Sequence, residues 1–348
     1  PVAGYDRTPS DLTHALEKEG IDVHYNDDPD YIPKDVASTL VVYTPAIPTD
    51  LKELVYVKEH GYTLVKRSRM LGELAEGQTC LAVAGTHGKT TTSTLVAHIL
   101  TESGKGCSAF LGGISKNYGT NLLTSHTPTI VAEADEFDRS FLQLHPAIAA
   151  ITAMDADHLD IYGTLEEYQK AFKAFASQVS RTLIVKLGLD ITPEDTNARI
   201  LHYSYDNPDA DYYAANAKPD EVGHYIFDLV YPEGVISGIR VGIPGWVNVE
   251  NSVAAAAVCL NHGVPPEAIK EAIGTYSGVK RRLDVHLNTP HLSYIDDYAH
   301  HPKELASAIS SMRGIFPGRK LTAIFQPHLF TRTRDFADDF AAALSKVD

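Results

Sequence analysis

The sequence predicts an α/β protein of several domains, and three observations carry that reading. Apolar runs of strand length alternate with helical patterns, the signature of helices layered on a mostly parallel sheet. A glycine-rich turn, Gly85-Thr86-His87-Gly88-Lys89-Thr90, stands between one such run and an amphipathic helix. The 348 residues suffice for two to three domains at about 100–200 residues each.

In chain order, Pro1–Asp6 reads as a strand like the second of a nucleotide-binding βαβ unit. Leu40–Tyr43 reads as a buried strand, Leu51–His60 as a helix and Thr63–Val65 as a strand. Cys80–Ala84 is a strand that runs into the glycine-rich turn, and Thr90–Leu100 is a helix with Leu95, Val96 and Ile99 on its apolar side. Thr129–Ala132 and Ile148–Thr152 are buried strands. Leu165–Val179 is a helix capped by Thr164, with Glu166 and Glu167 in its first turn. Between about 190 and 244 Pro, Asp and Tyr become frequent, and the alternating runs Tyr225–Val230 and Gly238–Ile243 indicate a β-rich excursion. Asn251–His262 and Pro265–Tyr276 read as paired helices and Gly278–Arg282 as a hinge. Beyond it Ser293–Ile295 and Lys320–Phe325 read as strands separated by a helix over Pro302–Arg313. The resulting domains are 1–78, 79–278 and 279–348. Both ends read as cut, because no glycine-rich turn precedes the first strand and the last unit has only two strands.

Composition narrows the function. Thirty Lys and Arg against 45 Asp and Glu give a net charge of −15, which excludes a chain devoted to gripping nucleic acid. Hydrophobic content of 44% excludes wholesale disorder. No apolar run approaches the roughly 20 residues that span a bilayer, and no signal peptide opens the chain, so no membrane insertion is expected. Cys80, Cys107 and Cys259 lack disulfide or zinc spacing and read as buried thiols of a cytoplasmic protein.

Three motifs carry chemistry. In the glycine-rich turn, backbone N–H groups converge on phosphate oxygens, and the helix N-terminus adds positive potential. Lys89 is placed to reach the terminal phosphates and Thr90 to hold Mg²⁺. The turn departs from the common phosphate loop (P-loop), which has glycine where Val83 stands here. Glu133-Ala134-Asp135-Glu136-Phe137-Asp138 ends a buried strand, where oxygen ligands suit a hard cation. Asp155-Ala156-Asp157-His158-Leu159-Asp160 ends another and offers His158 as a second ligand. Read without context, the acidic runs are equally a solvated turn and a capped helix start.

In this order the motifs resemble the Mur ligases, ATP-dependent amino-acid ligases of peptidoglycan synthesis, whose phosphate loop has this variant form. Glu133–Phe141, Asp157–Gly163, Asp296–Pro302 and Gln326–Asp335 look like the branch that joins L-alanine to UDP-N-acetylmuramate. The resemblance spans essentially the whole chain. It implies a Rossmann-like N-terminal domain for the UDP moiety, a central P-loop ATPase, and a partial Rossmann-like C-terminal domain for the amino acid. It also implies ATP with Mg²⁺ (or Mn²⁺) as cofactors, an acyl-phosphate intermediate, and a monomer or homodimer in the cytoplasm. Two alternatives stand beside it: the family's tripeptide-recycling ligase, and an ATP-binding module without ligase activity.

Site residues follow from the resemblance position by position. Gly85, Thr86, His87, Gly88, Lys89, Thr90 and Thr91 match the nucleotide loop, and Thr90, Glu133 and His158 match the metal site. Asn248 and Asn251 match the adenine-side pair, although Val247 stands where the family usually has His; read locally they are helix caps. Arg282 matches an arginine that reaches the γ-phosphate, with Arg281 a solvated neighbour, and Asp297 matches a ribose acceptor. Tyr298, His300, Arg332 and Arg334 match the region that receives alanine, with His301 taken as structural. Arg332 and Arg334 share a face if extended and diverge on a helix. Asp6, Thr44 (usually Ser in the family) and Asn121 are the UDP-sugar candidates. Lys89, Glu133, His158, Arg282 and His300 are the expected catalytic set.

Overall fold

The computed structural model describes residues 1–157, 159–220, 223–327 and 330–348. They gather into two compact units, 1–74 and 75–348.

The first unit contains β1 (Ala3–Tyr5), α1 (Asp11–Lys18), β2 (Asp22–His24), β3 (Leu40–Tyr43), α2 (Lys52–Glu59), β4 (Thr63–Lys66) and most of α3 (Arg67–Ala75). β1 pairs with β2 and β3 with β4, both in parallel. Ser10 opens α1 through a reciprocal side-chain cap with Thr13. Asp27 caps α2 from a distance by accepting the N–H groups of Lys52 and Glu53. Leu40–Tyr43 forms the expected strand, but the expectation of full burial is corrected. Leu40 and Val42 are 48% and 46% exposed, whereas Val41 and Tyr43 pack on Leu54, Val57 and Tyr62. Side chains alternate across a strand, so an unbroken apolar run does not imply two buried faces.

The second unit is built on β5 (Thr79–Ala84), α4 (Lys89–Glu102), β6 (Ser108–Phe110), β7 (Leu122–Leu123), β8 (Thr129–Ala134), β9 (Ile148–Ile151), α5 (Leu159–Tyr162), α6 (Leu165–Ser177) and β10 (Thr182–Lys186). It continues with β11 (Arg199–Ser204), β12 (Tyr212–Pro219), β13 (His224–Tyr231), β14 (Gly234–Pro244), α7 (Trp246–Asn261) and α8 (Pro266–Thr275). One sheet runs β14-β13-β12-β11-β10-β9-β5-β8-β6-β7. Its middle is parallel, and the β-rich excursion extends it by antiparallel strands. α4 and α7 are buried nearly all round and lie in one core with the sheet, α7 through a mostly apolar surface and α4 with Thr92, Ser93, Thr94 and His98 buried beside its apolar residues. α7 begins at Trp246, five residues before the expected start. Gly245 caps it at φ 97°, so Asn248 and Asn251 lie inside the helix and the local capping reading is corrected.

The last part contains β15 (Asp284–Asn288), β16 (Ser293–Asp296), α9 (Pro302–Ile315), α10 (Phe330–Asp335) and α11 (Ala337–Leu344). β15 and β16 form an antiparallel pair. The expected strand Lys320–Phe325 is not one: no described strand pairs with it and Ile324 is 98% exposed. Leu321 and Phe325 pack instead on the α9–α11 cluster. β-propensity without a ladder partner leaves backbone donors for other acceptors, and here Leu321 N–H donates to the Asp348 carboxylate.

Candidate active site

β9, β5 and β8 are adjacent and parallel, so their C-terminal ends meet on one edge of the sheet. Ala84 leads there into the phosphate loop, Ala134 into Asp135 and Glu136, and Ile151 into Thr152–Asp157. This is the edge where open α/β sheets bind ligands. Gly85 adopts φ +136°, and a Cβ there would stand 2.7 Å from the Ala153 nitrogen, so only glycine lets the loop pass this close. Thr86 ties the loop down: its N–H donates to Ala153 and its hydroxyl to the Asp155 carbonyl.

The loop's side chains meet carboxylates. Lys89 Nζ lies 2.6 Å from Glu136 Oε2, and Glu136 is buried. Burial works against the Lys89 charge, but Glu136, Asp135 and Glu133 outweigh it and hold its pKa above the ordinary value. The Thr90 hydroxyl donates to Glu133 Oε1 at 3.1 Å and Gly112 N–H to Oε2 at 3.0 Å. Burial pushes the Glu133 carboxyl up, opposed chiefly by Lys89.

The hinge brings the C-terminal part over this edge. Lys116 N–H donates to the Gly278 carbonyl and Lys280 N–H to that of Ile114, stitching the hinge to the loop after β6. Arg281 and Leu283 then take φ values of 61° and 45°, left-handed conformations that cost of order 1–3 kcal/mol each and persist only when surroundings fix them. Asp284 supplies one constraint, accepting from Arg281 N–H and from Lys116 Nζ at 2.6 Å. Asp297 supplies the other, accepting Leu283 N–H and Ala299 N–H, each at 2.8 Å. Arg282, between the two, points its guanidinium 5.3 Å from the centre of the Tyr298 ring.

The result is a cavity of about 290 Å³ whose lining includes Lys89, Thr90, Glu133, Arg282, Tyr298 and His300. Such a space has the glycine-rich loop, Lys89 and carboxylates on one wall and the Arg282 guanidinium with an imidazole on the other, a combination suited to phosphoryl transfer next to an acceptor. For a divalent cation, no group of three or more His, Cys, Asp or Glu stands together among the described residues. Thr90 and Glu133 nevertheless fit Mg²⁺, which is usually held by one or two protein oxygens together with phosphates. His158 lies outside the described residues.

Comparison with known proteins agrees with this geometry. Three family models match in sequence: Mur ligase family, catalytic domain, at 1–79; Mur ligase middle domain at 83–259; and Mur ligase, glutamate ligase domain, at 281–348. The UDP-N-acetylmuramate–L-alanine ligase of Parabacteroides distasonis is 50% identical over 354 residues, covering 100% of this chain and 76% of that protein. The chain belongs to the Mur ligase family. Among solved Mur ligase structures, UDP-N-acetylmuramate–alanine ligase from Thermotoga maritima matches with TM-score 0.84 and 26% identity over 100% of this chain and 78% of that one. A murein peptide ligase from Psychrobacter arcticus matches with TM-score 0.75 and 20% identity over 100% and 78% respectively, a likeness of fold. The architecture is thus the three-domain α/β plan of the Mur ligases.

Other sequence-derived residues of this Mur ligase are placed as follows. Asn251 lies beside the loop, its Oδ1 accepting from Thr92 and its amide donating to Asn248 Oδ1. Thr91 is buried and lines the cavity. His301 is the N-cap of α9, whereas His300 faces the cavity. α10 is helical, so Arg332 and Arg334 diverge. Arg332 is buried and donates twice to Asp157 Oδ1, and Arg334 is exposed beside Asp335. Asp6 is exposed and accepts Thr8 N–H, Thr44 accepts Ala46 N–H, and Asn121 lies in the turn before β7.

Four carboxylates escaped selection from sequence: Glu136, Asp155, Asp157 and Glu304. The first three lie within the acidic runs Glu133–Asp138 and Asp155–Asp160, beside the residues that match the metal site. Glu304 lies three residues after His301, the spacing of a capping box, but the sequence signature has Ser or Thr at the cap, and a histidine there hides it.

Proposed function

We propose that the chain is the ATP-dependent ligase that joins L-alanine to UDP-N-acetylmuramate through an acyl phosphate, releasing ADP and phosphate in peptidoglycan synthesis. The observation that carries this is the single cavity shared by the phosphate loop, Arg282 and His300. Identity of 50% along the whole chain to a ligase of that name supports the choice of donor and acceptor. The proposed division is 1–78 for the UDP moiety, 79–278 for ATP and 279–348 for the amino acid.

A carboxylate is a poor electrophile, so it must first be phosphorylated. Lys89 and the loop N–H groups hold the nucleotide phosphates, and Arg282 meets the transferring phosphoryl group from the opposite wall. Thr90, Glu133 and His158 would hold Mg²⁺, which neutralises phosphate charge when bound. Asn248 and Asn251 are assigned to the adenine, Asp297 to the ribose, and Asp6, Thr44 and Asn121 to the UDP-sugar. Tyr298, His300, Arg332 and Arg334 are assigned to alanine, whose amine attacks the acyl carbon as the carbon–oxygen bond to phosphate breaks. Buried free thiols support a reducing cytoplasm as its location. No described helix is long and apolar enough to cross a membrane.

The test is phosphate release and product mass with each substrate omitted in turn, and with tripeptide in place of L-alanine. Turnover is expected only with ATP, UDP-N-acetylmuramate and L-alanine together. A heavy oxygen isotope placed in the lactyl carboxylate is expected in the released phosphate; its absence there rejects the acyl phosphate.

A further inference from the structure

Glu304 stands between two histidines of different character. Its Oε1 lies 3.3 Å from His87 Nδ1, in the phosphate loop. Its Oε2 accepts the backbone N–H groups of His300 and His301 at 3.0 and 3.3 Å and lies 3.3 Å from His300 Nδ1. His87 is held from its other side as well, with Nε2 3.2 Å from Asp155 Oδ2, and Asp155 pairs in turn with Lys303. Charges therefore alternate along Lys303, Asp155, His87 and Glu304. Both ends of that chain lie on the first turn of α9 and its middle lies on the sheet edge. His300 Nδ1 also lies 2.9 Å from the Tyr298 carbonyl. These two groups beside Nδ1 only accept, so in the neutral ring Nδ1 carries the hydrogen and Nε2 the lone pair.

We propose that Glu304 is a positioning residue for acyl transfer, anchored by His87, which orients His300 and fixes its tautomer so that Nε2 takes the proton from the attacking amine. The inference rests on the ligase reading above. In the step, alanine's ammonium gives one proton to Nε2 and its nitrogen lone pair forms the bond to the acyl carbon. The carbon–oxygen bond to phosphate breaks with its electrons going to phosphate, which takes the second proton lost from the nitrogen as the amide forms, and the imidazolium returns its proton to water. Among the described residues, Glu304, Arg332, Arg282 and Tyr298 face His300. Burial first, then the two arginines, keep the ring below its ordinary pKa against the pull of Glu304, so it enters the step neutral. His87, between two carboxylates, is raised to about 9 despite burial and stays cationic, as an anchor requires.

The experiment compares two nucleophiles in the full chain. L-alanine needs a base because its amine is protonated near neutral pH. Hydroxylamine is already unprotonated there and captures an acyl phosphate as a hydroxamate without one. For Glu304→Ala, ligation of L-alanine is expected to fall at least about tenfold, less than the roughly 10²–10⁴-fold a positioned base contributes because His300 itself remains, with hydroxamate formation changed less than about threefold. Glu304→Gln keeps an acceptor for Nδ1 and is expected to restore most L-alanine ligation; it also serves if the alanine variant does not fold. Equal loss with both nucleophiles, or undiminished L-alanine ligation in both variants, overturns the proposal. Failure of the unsubstituted protein to ligate L-alanine rejects the ligase reading instead.

Discussion

Lys89 reaches Glu136 at 2.6 Å, so the phosphate-loop ammonium is neutralised by the protein itself before any nucleotide arrives. Nucleotide phosphates must compete with that carboxylate, which makes Glu136 a determinant of ATP affinity. Glu136→Gln is expected to tighten binding of a non-hydrolysable ATP analogue several-fold while lowering stability, because a buried ion pair is broken. Calorimetric titration beside urea unfolding tests both, and weaker analogue binding by a folded variant would reject the competition. His87 gives a pH-dependent counterpart. Its folded pKa of about 9 exceeds the ordinary 6.5, so its contribution is complete below 6.5 and is lost as pH rises through about 9. That contribution is at most of order 3 kcal/mol for a shift of this size. Unfolding free energy is expected to fall across that window and to flatten in His87→Asn; an unchanged slope would assign the loss to other groups.

At the level of elements, caps and close approaches decide where the loops of the sheet edge sit. The Thr164 hydroxyl accepts Glu167 N–H at 3.2 Å and opens α6, whose Tyr168 hydroxyl meets Thr86 at 2.9 Å. Thr164→Ala is expected to cost about 1 kcal/mol, read by urea unfolding, with nucleotide affinity held. A loss below about 0.3 kcal/mol would show that the cap is dispensable. Gly85→Ala differs in kind, since its Cβ would meet the backbone nitrogens of Ala153 and Thr152 at 2.7 and 2.9 Å. That variant is expected to lose measurable ATP-analogue binding even where circular dichroism shows a folded chain; retained affinity would mean the loop can shift at no cost.

Across the second unit, Arg282 is the residue that the hinge delivers to the phosphate wall. Its charge favours ionised Glu133, Asp297 and Glu304, and its neighbours Arg281 and Leu283 hold left-handed backbone to place it. Contacts made chiefly in the transition state appear in kcat rather than in binding. Arg282→Ala is therefore expected to leave ATP affinity within about twofold and to lower ligation at least about a hundredfold. Normal kcat with a lowered melting temperature would leave Arg282 a purely structural anchor of the hinge.

Local signals were enough for much of this protein. Glycine spacing marked the phosphate loop, apolar runs marked β3, β5, β8 and β9, and Thr164 marked the start of α6, because each depends on chemistry within a few residues. Lys89, Thr90 and Glu133 were singled out for the same reason, as members of dense motifs, and Arg282 through the family resemblance; the structure brings the four to one cavity. Partnership across the fold was not legible. Whether Lys320–Phe325 becomes a strand depends on a neighbour that its own residues do not encode. The same holds for the outward faces of Leu40 and Val42. Lys89 with Glu136, Asp157 with Arg332 and Glu304 with His87 are separated by 47, 175 and 217 residues. Electrostatic pairing acts through space and not along the chain, so only tertiary structure decided which carboxylate answers which cation.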